Sequence, residues 1–168
     1  WDTDTIHAEV IATKVDEDGY NGTAGIGGSD GSDSTDENMY AAQLAFKKLV
    51  PGALLELMYI QKNDQDGASN AATANGYAVA GDGNVIIHDM GARIDGKLPI
   101  LDAIDYTLEA HGQFGDYGGQ TQRAWAFAGR TGYTCKEVAW KPRFGVEYDF
   151  ASGDDDTTDN EHGTFDNL

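Results

Sequence analysis

The chain has 168 residues, enough for one domain with a substantial core, and carries a formal net charge of -18 from 29 acidic and 11 basic residues. That balance excludes nucleic acid as a partner, because phosphate binding needs clustered Lys and Arg. The single Cys135 excludes an internal disulfide framework, and no apolar run reaches the length of a membrane-spanning helix.

In chain order, residues 5–15 place Ile6, Ala8, Val10 and Ala12 on one face and His7, Glu9 and Thr13 on the other. Period two is the mark of a half-buried strand. A long acidic, Gly-rich stretch, 16–38, follows. Residues 39–49 set Tyr40, Ala42, Leu44 and Phe46 against Gln43 and Lys47. The short link Val50-Pro51-Gly52 rules out one continuous helix and leads to residues 53–62. There Ala53, Leu55, Leu57 and Tyr59 oppose Glu56 and Lys62, with Leu54, Met58 and Ile60 blurring the pattern. A second long polar stretch, 63–83, precedes residues 85–94, where Ile86, Met90 and Ala92 oppose Asp89 and Arg93. His88 is an exception on the apolar face.

After a short link, 95–97, residues 102–114 alternate most cleanly. Ile104, Tyr106, Leu108, Ala110 and Phe114 oppose Asp105, Thr107, Glu109, His111 and Gln113. A helical stripe through Leu101, Ile104 and Leu108 competes, but the alternation persists to Phe114. A loop at 115–121 leads to strand 122–131, where Trp125 and Phe127 lie opposite small Ala residues. A short turn at 132–137 leads to strand 138–151, with Phe144, Val146, Tyr148 and Phe150 against Arg143, Glu147 and Asp149.

Segments of about ten residues exceed the ~5–6 of ordinary strands and match the ~9–11 that cross a bilayer at a tilt. Tyr40, Phe46, Tyr59, Phe114, Trp140 and Phe150 sit near segment ends on the apolar face, as interfacial girdles do. Long links at one end and short ones at the other predict an all-β, antiparallel up-and-down transmembrane β-barrel. Seven strands do not close evenly, so residues 1–168 would be one segment of a larger barrel. The lack of an initiator methionine fits a piece of a longer chain. The alternative is an acidic, secreted or surface-attached soluble β-domain serving binding or adhesion, since sandwich strands alternate in the same way.

In the barrel reading the polar face lines a pore through Glu9, Lys47, Glu56, Asp89, Arg93, Asp105, Glu109, His111, Arg143, Glu147 and Asp149. Glu109 with His111, and Glu147 with Asp149, are i,i+2 pairs that point the same way. Such charges filter ions, or simply pair across strands. Arg123 is a weaker candidate, because it shares its face with Trp125 and Phe127. No nucleophile–base set or phosphate-loop lysine stands out, so no enzyme activity is expected. Asp16, Asp18, Asp64 and Asp66 lie in Asp/Gly-rich loops with hard oxygens suited to Ca²⁺. None completes the twelve-residue calcium pattern, and solvated turns read the same way. No other cofactor is expected.

The run Lys141-Pro142-Arg143-Phe144-Gly145-Val146-Glu147-Tyr148-Asp149-Phe150-Ala151-Ser152-Gly153-Asp154, followed by Gly163-Thr164-Phe165-Asp166-Asn167-Leu168, resembles the alginate-export family of bacterial porins. The resemblance implies a large barrel in the outer membrane of a Gram-negative bacterium. Its partners would be outer-membrane lipid and a small solute or polysaccharide. A polyanion conduit should be electropositive. The polar face here is mixed, so a neutral or cationic solute fits at least as well.

Overall fold

Extended, alternating segments have one economical way to satisfy their backbone groups, which is to pair with their neighbours in chain order. The computed structural model, which describes residues 1–16, 36–64 and 84–168, does this throughout. Strands β1 (Ile6–Asp16), β2 (Asp36–Val50), β3 (Ala53–Asp64), β4 (Val85–Lys97), β5 (Ile104–Tyr117), β6 (Gln120–Thr134) and β7 (Arg143–Ala151) form one antiparallel up-and-down sheet. A two-residue strand, β8 (Glu161–His162), runs parallel to β6 beyond the end of β7. The sheet is open, with β1 and β7 at its edges, as expected for part of a barrel.

The register carries side chains of one kind across all seven strands. Val10, Ala42, Tyr59, Met90, Gly112 and Trp125 form one continuous row. Ala8, Leu44, Leu57, Ala92, Ala110, Phe127 and Phe150 form the next. This face is apolar and open: Val10, Leu44, Leu57, Met90, Leu108, Trp125 and Tyr148 are all exposed. His88 lies on it, stacked between Tyr59 and Phe114, and its Nδ1 is 2.8 Å from the Tyr59 hydroxyl.

Two links differ from expectation. The loop expected at 115–121 is a two-residue turn, Gly118-Gly119, with Tyr117 opposite Gln120. Both glycines have positive φ, 60° and 87°, which a type I′ hairpin turn requires. The strand expected from 138 begins only at Arg143. Lys141 takes φ 43°, and the Cys135 N–H donates to the Pro142 carbonyl at 2.9 Å, closing a turn over 135–142. Val138 and Trp140 therefore belong to a link, and Trp140 leaves the aromatic row of the sheet.

Candidate functional site: the polar face of the sheet

The eleven charged residues expected on the polar face share one face of the sheet, and the register brings most of them together. Glu56, Arg93 and Glu109 are direct neighbours on β3, β4 and β5. Arg93 reaches Glu56 at 3.5 Å, Glu109 at 3.7 Å and Asp95 at 3.9 Å. Gln43 donates to Glu56 at 2.7 Å. Glu9 is 3.6 Å from His7 on β1. Lys47 pairs with Asp2 and donates to the Thr3 carbonyl at 2.9 Å.

Arg143 crosses from β7 to pair with Asp105 on β5, its Nε donating at 3.0 Å. It does so over Gly132, where any Cβ would lie 2.2 Å from the guanidinium. Lys47, Lys97, Arg130 and Arg143 surround a concavity of about 690 Å³ near the short-turn end, together with Asp95 and Asp105.

Further toward the long-loop end the face turns acidic. Asp89 is 1 % exposed and bonds to His111 Nδ1 at 2.6 Å. His111 Nε2 lies 3.0 Å from Glu109. The ring fits there because its neighbour on β4 is Gly91. Gln113 adds a second hydrogen bond to Asp89 at 3.1 Å. Glu147 and Asp149 point to this face from β7 and are exposed.

Arg123 lies on the apolar face beside Phe114, close to Glu161 at 3.8 Å. Asp18, Asp66 and the side chain of Asp16 lie outside the described residues, while Asp64 closes β3 opposite Val85. Among the described residues no three His, Cys, Asp or Glu side chains are placed to hold one metal ion.

Sequence reasoning missed Arg130, Gln122 and the inward role of residues 161–168. Arg130 and Gln122 sit on the face of β6 that carries Ala124, Ala126 and Ala128, and the large Trp125 and Phe127 opposite mark that face as the inner one. Residues 161–168 show no periodicity. They fold back over the polar face, where Gln113 and Gln122 become buried beneath them.

An up-and-down sheet of long strands, apolar on the outside and charged on the inside, is the wall of a porin-type β-barrel. The family model for alginate export matches residues 27–168, and the chain belongs to that family. No curated protein and no solved structure matches the chain.

Proposed function

We propose that this chain is part of the wall of a bacterial outer-membrane channel through which a solute or polysaccharide passes passively. The observation that carries this reading is the division of the two faces. Large apolar side chains remain exposed across the whole outer face, and the charged side chains collect on the other. In water such an outer face would be an aggregation surface; in lipid it is the stable arrangement. A soluble sandwich would instead bury that face under a second sheet, and the described residues form one sheet.

On this reading Glu9, Lys47, Glu56, Asp89, Arg93, Asp105, Glu109, His111, Arg143, Glu147 and Asp149 line the conduit. They set its field and perform no bond chemistry. Mixed charge on the wall supports a neutral or cationic solute as readily as a polyanion. The test is reconstitution of the full-length protein into planar bilayers. Discrete conductance steps are expected, and none at any voltage would refute the channel.

A further inference from the structure

β7 leaves the sheet early. It ends at Ala151 opposite Ala126, while β6 begins at Gln120. The chain then turns at the long-loop end and returns along the polar face, with β8 parallel to the start of β6. Ser152 ties this return to the wall. Its backbone N–H donates to the Trp125 carbonyl at 2.9 Å, and the Trp125 N–H donates to Ser152 Oγ at 2.9 Å. The Ser152 hydroxyl donates to the Gly163 carbonyl at 2.8 Å, and the Phe165 N–H donates to the Ser152 carbonyl at 3.1 Å.

The far part is clamped to the middle of the sheet. Gln113 Nε2 donates to the Asp166 carbonyl at 2.6 Å, and the Asp166 N–H donates to Gln113 Oε1 at 2.9 Å. Gln122 donates to the Thr164 carbonyl at 3.1 Å, and Lys62 reaches Asp166 from β3 at 3.4 Å. Leu168 packs on Val85 and Ile87. The segment thus crosses from β6 to β3 over the polar face. It buries Asp89, Gln113 and Gln122, which an open lumen wall would leave wet. A cavity of about 440 Å³ remains at its side, lined by Asp89, Glu109, His111, Asp149, Phe165 and Asp166 among others.

We propose that residues 152–168 are a fixed inward strap that narrows the conduit and gives it a preference for cations. The inference rests on the channel reading above and adds the element that sets size and charge. Narrowing follows from the crossing, because chain lying on the lumen wall removes open cross-section. The preference follows from the wall beside it. Carboxylates of Asp89, Glu109, Asp149 and Asp166 outnumber the basic side chains Lys62, Arg93 and His111 there, and Asp149 has no ion-pair partner among the described residues. Charged rings at a constriction select by sign.

The test uses the full-length protein in planar bilayers, with Cys135→Ser to remove the native thiol. Thr164→Cys, an exposed position in the part of the strap that crosses the polar face, is treated with small cationic and anionic thiol reagents, and Thr157→Cys, exposed in the turn before β8 and off that crossing, serves as the control. Modification at position 164 should lower single-channel current by about half or more, and the cationic reagent should react several-fold faster. Gln113→Ala, which breaks the clamp without touching the thiol site, should raise conductance about twofold or more. Unchanged current in both variants would overturn the strap. Faster reaction with the anion would overturn the charge preference. No current from the unmodified protein would refute the channel reading itself, and the strap with it.

Discussion

At the residue scale, Gly91 shows how closely the polar face is fitted. A Cβ there would lie 2.3 Å from the His111 ring, so an alanine forces the ring off its partners. Among the described residues His111 is one of two side chains that bond to the buried Asp89. Removing it leaves a nearly inaccessible carboxylate half satisfied. Gly91→Ala should therefore destabilise the protein by roughly 1–3 kcal/mol. Gly112, on the apolar face one row away, has nothing within 4 Å of a Cβ, so Gly112→Ala should change stability by less than about 0.5 kcal/mol. Urea unfolding from lipid vesicles compares the two, and equal effects would show that the His111–Asp89 contact contributes nothing. The charged members of this face were legible in the sequence, because alternation alone assigns Asp89, Glu109 and His111 to it. The glycine's function was not. It depends on which residue lies across on the next strand, and register is set by turns and bulges that composition does not reveal.

At the element scale, β5 and β6 were legible in kind and wrong in extent. The cluster Gly115, Gly118 and Gly119 reads as a loop, yet only the last two make the turn. Gly115 remains in the strand at φ 144°, where a Cβ would sit 2.0 Å from the Ile86 carbonyl oxygen. The strap was not legible as structure. Its bonds run from wall side chains to its backbone, which leaves no periodic trace, although the family resemblance had marked Ser152 and Thr164-Phe165-Asp166.

The strap also carries a pH dependence. Burial against Tyr117 lowers the pKa of His162 below its ordinary 6.5, although Asp154 and Asp166 pull it upward. Its Nδ1 is buried without a hydrogen-bond partner among the described residues, and Glu161 beside it lies 3.8 Å from Arg123. A histidine whose pKa is depressed when docked takes up more protons when released. Docking is then strongest above pH 6.5 and weakens as the pH falls below that value toward the lowered one. Deuterium uptake by residues 161–168, corrected for intrinsic exchange, should rise as the pH drops below 6.5. His162→Phe keeps a ring beside Tyr117 and should abolish the rise; a rise that survives would place the titration elsewhere.

At the scale of the whole molecule, the assignment depends on depth within the sheet. On β5 the outer face carries aromatic rings at Tyr106 and Phe114, with Leu108, Ala110 and Gly112 between them. The eight steps from Tyr106 to Phe114, at about 3.4 Å each, span ~27 Å along the strand, which a tilt of 35–45° reduces to roughly 20 Å along the membrane normal. That is close to the ~25 Å height of the apolar band in outer-membrane barrels. The rings mark the two interfaces, and Ala110 lies midway. Arginine at that point has no water and no partner, whereas arginine two residues nearer a ring can extend toward the headgroups. Ala110→Arg should cost about 2–4 kcal/mol of folding free energy in lipid, and Leu108→Arg less. Thr107→Arg, one residue away on the inner face and beside Asp95, should assemble almost normally. Folding yields into vesicles, read as the heat-modifiable band on a gel, order the three variants. Yields that ignore depth, or a Thr107→Arg variant as damaged as Ala110→Arg, would mean that the apolar face does not meet lipid. The same ranking separates a membrane wall from a sheet that merely packs against protein, because only lipid grades the cost of a charge by its distance from the interface.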